Sequence, residues 1–291
     1  MSAADIDVLL SCANCGKGEE DSNKLKKCSA CLSVKYCSAA CQKAHRPQHK
    51  KACKKKAAEL YDEKLFKEIE PEECPICLLP LDTEYVTFKS CCGKIICCGC
   101  SYSMMVIEGK NICAFCRMLP PNSDEERVNR VNKLIDKGNA EAFNMLAGDY
   151  AEGRYGIPQD LQKANECYLK AGELGCAGAY YNLGNSYLVG RGVEIDRKKA
   201  IHYYELAAMI GHIKARHNLG CLEGGNEQRA YKHYLISARS GMKESVDAVK
   251  EGYMAGFVTK DEYADTLRAY HEKQKEMKSD ARDKAKTHLL G

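Results

Sequence analysis

From about residue 139 onward, apolar residues recur at helical spacing, and the whole pattern repeats every 36 to 37 residues. Asn144 to Gly175 (NMLAGDYAEGRYGIPQDLQKANECYLKAGELG) aligns with Asn182 to Gly211 (NLGNSYLVGRGVEIDRKKAIHYYELAAMIG). A third copy, Asn218 to Gly241, keeps NLG and AYKHYLISARSG around a shorter loop. Each unit predicts helix, glycine loop, helix. Leu146, Leu183 and Leu219 are expected to face inward at equivalent places, while Ala164, Ala200 and Ala230 let the second helices approach closely. Beyond Gly241, Glu244 to Met254 predicts a helix that caps the stack. Lys260 to Lys286 predicts a charged helix that projects or folds along it. Upstream, Lys54 to Glu70 places Leu60, Leu65 and Ile69 among charged residues, with Glu63 and Lys67 four apart, and predicts an amphipathic spacer helix ended by Pro71.

The cysteines divide the chain differently. Sixteen of nineteen precede Arg117, so a cysteine-rich front meets an ordinary helical back near residue 120. They fall into pairs: Cys12-x2-Cys15, Cys28-x2-Cys31, Cys37-x3-Cys41 and His49-x3-Cys53, then Cys74-x2-Cys77, Cys91-Cys92, Cys97-x2-Cys100 and Cys113-x2-Cys116. Tetrahedral zinc takes four N/S donors, and a C-x2-C step presents two thiolates from one turn. A disulfide framework fits less well. The cysteine total is odd, and Met1 to Leu10 is neither basic nor apolar enough for a signal peptide, so a cytoplasmic or nuclear rather than secreted protein is expected. The order of the first four pairs suggests interleaving, with Cys12, Cys15, Cys37 and Cys41 on one ion and Cys28, Cys31, His49 and Cys53 on the other. About forty residues cannot bury a useful apolar core, so metal would supply the folding energy, and four protein ligands leave no open position for catalysis.

Tyr36-Cys37-Ser38-x2-Cys41-Gln42 followed by His49-Lys50-x2-Cys53 resembles a MYND zinc finger over residues 12–53. The resemblance implies a protein-interaction module that accepts short proline-containing peptides. Arg46 stands where many members carry a Trp, and the chain has no Trp at all. His45 is read as a non-ligand, since eight ligands are already present. No SET-type motif, the setting of MYND fingers in methyltransferases, follows.

Cys74-Pro75-Ile76-Cys77, Cys91-Cys92-Gly93, Cys97-x2-Cys100 and Cys113-Ala114-Phe115-Cys116-Arg117 resemble a RING finger over residues 74–117. In that fold the first and third pairs share one zinc, here Cys74, Cys77, Cys97 and Cys100. The second and fourth share the other, here Cys91, Cys92, Cys113 and Cys116. The usual His is missing, so the module is an all-cysteine variant, and adjacent Cys91 and Cys92 need a sharp turn at Gly93. Cys98 is left over as a spare thiol. The resemblance implies docking of a ubiquitin-conjugating enzyme through Ile76, Met105 or Val106, Phe115 and Arg117, a catalysis of positioning with no covalent step on this chain. Ala114 replaces a common Pro.

The repeats look like Sel-one-like repeats, relatives of tetratricopeptide repeats, through Tyr187, Gly190, Gly192, Val193, Asp196, Lys199, Ala200, Tyr204, Ala207, Ala208 and Gly211. The resemblance implies a superhelix whose concave face holds a protein partner. Cys167, Cys176 and Cys221 read as small core or half-buried residues of helices.

The expectation is a mainly α protein: a helical-repeat solenoid (139–256) preceded by two small cross-braced zinc-binding modules (12–53 and 74–117), with a helical linker (54–70) between them and a charged C-terminal helix (257–291) after it. Four zinc ions, two per module, are expected. Net charge is +4, and the run Lys50, Lys51, Lys54, Lys55, Lys56 reads as a solvated face rather than a nuclear-import or nucleic-acid patch. No stretch reaches membrane-spanning length, so neither nucleic acid nor membrane is an expected partner. With no phosphate-binding glycine loop and no nucleophile beside a base, enzymatic action is confined to RING-type ubiquitin transfer onto clients chosen by the repeats. The alternative is a non-catalytic zinc-finger adaptor in transcription or chromatin complexes.

Overall fold

The computed structural model describes residues 11–18, 24–81, 85–107, 109 and 111–290; Met1 to Leu10, read above for a signal peptide, lies outside them. The chain forms two compact units, residues 1–67 and 68–291. In the first, β1 (Lys26–Lys27) pairs antiparallel with β2 (Lys35–Tyr36) ahead of helix α1 (Ala39–Leu65). Ser38 starts α1, its Oγ accepting from the Cys41 N–H at 3.2 Å. The spacer helix expected over Lys54 to Glu70 is thus the second half of a longer helix, and it ends at Leu65 rather than at Pro71. The Phe66 N–H turns back to the Asp62 carbonyl at 2.8 Å and closes the helix, and Ile69 lies beyond it. Lys50, Lys51, Lys54 and Lys55 are exposed along α1, as a solvated face requires.

The second unit opens with a hairpin, β3 (Val86–Lys89) and β4 (Lys94–Cys97), registered from Val86 opposite Cys97 to Lys89 opposite Lys94. Its turn carries Cys91 and Cys92, and Gly93 takes φ +72° there; a Cβ at Gly93 would lie 2.6 Å from the Asn139 amide. Helix α2 (Cys98–Tyr102) follows and widens into one π-helical turn, Ser103–Ile107. Helix α3 (Asp124–Ile135) was not foreseen, although its signal is in the sequence: Ser123 caps it and Asp124, Glu125 and Glu126 fill the first turn. It docks on the next helix through Arg127, which pairs with buried Asp149 at 2.6 Å and lies over the Tyr155 ring. Val131 and Leu134 join α3 to Phe88 of the hairpin and to Leu146 of the repeats.

The solenoid comprises α4 (Ala140–Glu152), α5 (Leu161–Glu173), α6 (Ala177–Val189), α7 (Arg197–Met209), α8 (Ile213–Leu222) and α9 (Glu227–Arg239), closed by α10 (Lys243–Met254). Asp160, Asp196 and Asn226 cap the second helix of each pair by accepting from the N–H three residues on. Leu183, Leu219, Ala164, Ala200 and Ala230 are buried; Leu146 is half-buried because it serves the α3 cluster instead. Packing repeats too. The Tyr204 ring lies where a Cβ on Gly184 would sit 2.6 Å away, and Tyr234 stands in the same relation to Gly220 at 2.5 Å. The single C-terminal helix expected is two, α11 (Lys260–Met277) and α12 (Asp280–Leu290). Lys278 is extended, and Ser279 starts the second helix by accepting from the Arg282 N–H. Among the described residues no helix is long and apolar enough to cross a membrane.

Buried histidines give the solenoid a pH dependence. His212 caps α8 through its ring, with Nδ1 accepting from the Ala215 N–H at 3.1 Å, so the ring must be neutral. Burial, with Lys214 nearby, lowers it to about 4; His233 is lowered to about 3 by burial and by Arg216 and Arg229. Between these values and roughly 6.5, the unfolded chain binds protons that the folded chain does not. Stability is therefore full above pH ~6.5 and falls as pH drops toward 4, His212 alone contributing on the order of 3 kcal/mol. Urea unfolding followed by far-UV circular dichroism at pH 7 and 5 should show the loss, and His212→Asn, which keeps a cap acceptor, should shrink it by about half, His233 supplying the rest.

Candidate metal centres

Four groups of four ligand atoms converge, with all atoms of a group within 4.8 Å of one another: Cys12, Cys15, Cys37 and Cys41; Cys28, Cys31, His49 and Cys53; Cys74, Cys77, Cys97 and Cys100; Cys91, Cys92, Cys113 and Cys116. These are the sixteen residues singled out from the sequence, in the same groupings.

One local device builds a corner of every group. After Cys12, Cys28, Cys74 and Cys113 the chain turns so that the residue following the second cysteine donates its N–H to the first cysteine's carbonyl, at 2.8 to 3.0 Å. That residue has positive φ in every case: Gly16 (+74°), Leu32 (+55°), Leu78 (+58°) and Arg117 (+61°). A left-handed conformation costs a non-glycine residue roughly 1–2 kcal/mol, so three of the four turns hold local strain against the pull of the cluster. The turn also aims N–H groups at sulfur. Burial alone would raise the Cys74 thiol, but the N–H groups of Cys97, Cys77 and Ile76 outweigh it and hold the group at about 6. Cys12 and Cys28 are likewise held at about 6 and Cys113 at about 7, by N–H groups of their own turns and, for Cys12, of Cys37.

Cys37, Cys53, Cys91, Cys92, Cys97 and Cys100 go the other way. Burial and the adjoining Cys28 and Cys31 sulfurs push Cys53 up to about 11, and burial with Cys116 and Cys113 raises Cys91 strongly. Four sulfurs in contact cannot all ionise alone, so the set calls for a cation. The distances suit zinc: Zn–S bonds of ~2.3 Å imply S···S edges of ~3.8 Å in a tetrahedron. The observed edges include Cys15–Cys37 at 3.6 Å, Cys28–Cys53 at 3.8 Å, Cys74–Cys100 at 3.8 Å, Cys77–Cys97 at 3.8 Å and Cys92–Cys113 at 3.7 Å. His49 Nε2 lies 3.2 Å from Cys31 Sγ.

His45 is outside the ligand set, as expected, but it is half-buried and has work to do. Its Nδ1 is 3.0 Å from the Tyr36 hydroxyl and its ring stacks on His49 at 5.5 Å, so it fixes the orientation of a ligand ring. The spacing of four between the two histidines was the available signal. Cys98 is buried at the start of α2. Cys167 is half-buried, Cys176 is buried but precedes α6 rather than lying in it, and Cys221 is exposed rather than half-buried, accepting from the Tyr234 hydroxyl at the surface.

Outside the clusters, Ile76 and Phe115 occupy the same position in two of the turns and are both partly exposed, at 40% and 38%. Arg117, Met105 and Val106 are exposed as well. A groove of about 200 Å³ is lined by Phe88, Met105, Cys113, Met118, Leu119 and Pro120. In the first unit, Tyr36, Gln42, Arg46, Lys50 and Ala57 line a groove of about 220 Å³.

Residues 12–53 match the MYND finger family, and residues 140–176, 177–212 and 213–242 match the Sel1 repeat. The chain therefore carries a MYND finger in its cysteine-rich N-terminal region, followed in sequence by a mainly helical Sel1-repeat solenoid. It is 36% identical over 83 residues to the uncharacterized protein NMB1327 of Neisseria meningitidis serogroup B, covering 28% of this chain and 17% of that protein. It is 51% identical over 43 residues to the histone-lysine N-methyltransferase SMYD3 of Homo sapiens, covering 15% and 9%. It thus spans less than a fifth of either relative. Among solved structures, a Sel1 repeat protein from Oxalobacter formigenes superposes with a TM-score of 0.46 at 23% identity, over 61% of this chain and 71% of that one. The c5321 antigen of uropathogenic Escherichia coli, with an SLR fold, gives 0.44 at 26%, over 52% and 33%.

Proposed function

We propose that residues 74–117 are a RING-type finger and that the chain is an intracellular ubiquitin ligase of the cytosol or nucleus, holding four zinc ions in its four clusters. The observation that carries this reading is the pair of matched turn tips, Ile76 and Phe115, standing exposed on a module whose clusters interleave the first pair with the third and the second with the fourth. Apolar tips left partly exposed suit a ubiquitin-conjugating enzyme, with Met105 and Val106 extending the contact. Exposed Arg117 has the planar fork to bridge that enzyme and its ubiquitin. The chain's own residues supply no nucleophile; they hold the thioester in a reactive pose.

Clients fall to the other surfaces. A cleft of about 430 Å³ is lined by Lys214, Lys243, Lys273, Lys278 and Lys286, with Met242 and Met277 among the apolar lining, which suits an acidic segment carrying apolar anchors. The groove at Tyr36 and Arg46 is the place for a second peptide.

Incubation with activating enzyme, a broad panel of conjugating enzymes and ubiquitin should give chains. Ile76→Ala and Arg117→Ala should each lower the rate at least tenfold, as loss of a hot-spot contact of 2 kcal/mol or more does. No response from any conjugating enzyme leaves the chain as a non-catalytic adaptor; full activity in both variants overturns docking through Ile76 and Arg117.

A further inference from the structure

The C-terminal helix α12 reaches the second cysteine module, 205 residues away in sequence. Its Arg282 is only 4% exposed. Nη1 donates to the Pro80 carbonyl at 2.8 Å and to the Met277 carbonyl at 3.1 Å; Nη2 donates to the Leu79 carbonyl at 3.3 Å and approaches Cys77 Sγ at 3.8 Å. Leu79 and Pro80 are the residues through which the Cys74 turn leaves the cluster, so the guanidinium grips that turn from behind. Nε is buried without a hydrogen-bond partner.

Among the described residues no carboxylate pairs with Arg282. A buried guanidinium with no counter-charge is costly, by several kcal/mol in general. The anionic group it does face is the Cys74, Cys77, Cys97 and Cys100 cluster. Four thiolates around a divalent cation carry a net charge of −2, and the arginine sits where it offsets half of that.

The helix is fitted to the spot. A Cβ at Gly99, in α2 between two cysteines, would lie 2.8 Å from both Cγ and the backbone nitrogen of Arg282 and 3.0 Å from the Ala281 carbonyl carbon, so only glycine permits this approach. Ala285 is buried, the Tyr102 and His288 rings meet at 5.4 Å, and Lys286 Nζ lies 4.5 Å over the Tyr85 ring. Met105 and Val106 stay exposed, so the helix leaves the proposed enzyme-docking face open.

We propose that α12 is a wall of the Cys74/Cys77/Cys97/Cys100 site and that Arg282 is its charge-balancing, positioning residue, so that retention of metal in the second module depends on the C-terminal end of the chain. The inference rests on zinc occupying that cluster. Partners of this kind beyond the ligands are worth 10–100-fold in metal affinity.

The test uses full-length, zinc-loaded protein, with pulsed alkylation and mass spectrometry to report protection of each cysteine and a chromogenic chelator to report zinc release. Arg282→Ala should speed alkylation of Cys74, Cys77, Cys97 and Cys100 by at least tenfold, leave Cys12 and Cys28 protected, and release one zinc per chain early. Gly99→Ala, a good helix residue whose added methyl group meets Arg282 and Ala281 rather than a ligand sulfur, should do the same by displacing α12. The double variant should be no worse than the more affected single one, and Arg282→Lys should fall between. Circular dichroism of the repeats controls for folding. Wild-type protection in both single variants overturns the proposal. Lack of protection in the zinc-loaded wild-type protein removes the metal reading, and the proposal with it.

Discussion

Cys31→Ser is expected to unfold residues 12–53 while the repeats stay folded. Apart from its cysteines, the buried core of this module among the described residues is Leu25 and Tyr36. Two such side chains contribute a few kcal/mol, far less than the conformational entropy of some forty residues. Structural zinc supplies roughly 10–16 kcal/mol per ion. Cys31 is the most demanding position: it is 1% exposed, its sulfur is 3.2 Å from His49 Nε2, and its turn holds Leu32 at positive φ. Losing it releases one ion and with it the tie from His49 and Cys53 of α1 to the Cys28 turn. A proton–nitrogen correlation spectrum should lose dispersion for these residues, with the repeat signals unchanged, and a strong chelator should reproduce the effect in the wild-type chain. Retained dispersion after complete zinc removal would mean that the module holds itself together.

Tyr204→Ala should lower the stability of the second unit by about 3–5 kcal/mol, the usual cost of truncating a buried aromatic residue. Tyr204 is fully buried in the middle repeat, its ring fills the space left by Gly184, and its hydroxyl donates to Asn185 Oδ1 at 2.6 Å. Truncation opens a cavity that the helices cannot close and strips Asn185 of its donor. Tyr204→Phe removes only the hydrogen bond and should cost about 1 kcal/mol. For a unit of this size the alanine variant should melt roughly 10 °C or more below wild type. Equal melting temperatures for the two variants would place the stability in the hydrogen bond rather than in the packing.

What could be read beforehand follows from how local each signal is. The ligands were legible because tetrahedral zinc restricts residue type and spacing, and Leu183, Leu219 and the paired alanines because a helical pattern repeats. The start of α1 is marked by its ligands and not by its apolar residues. Cys41, His49 and Cys53 lie eight and four residues apart, a helical spacing that already extended the helix back toward Ser38. Helix α3 has a purely local signal, Ser123 and its acidic first turn, with no repeat to reinforce it. The destination of α12 had no such signature. Arg282 is held largely by backbone carbonyls, which carry no residue code, and Gly99 reads as any other glycine.

The module between residues 74 and 117 touches both ends of the repeat array: Phe88 and Gly93 meet α3 and Asn139 at one end, and Cys77 and Gly99 meet Arg282 beyond the other. Open arrays gain and lose copies freely, because each copy contacts only its neighbours. Here the circuit is closed. Duplicating or deleting one 36-residue copy would carry the far end away by roughly 10 Å per helix layer, and one of the two anchorages would have to let go. Copy number in this protein is therefore set by the span of the module that bridges the ends, and variation among related chains should fall on loop lengths within copies rather than on how many copies there are.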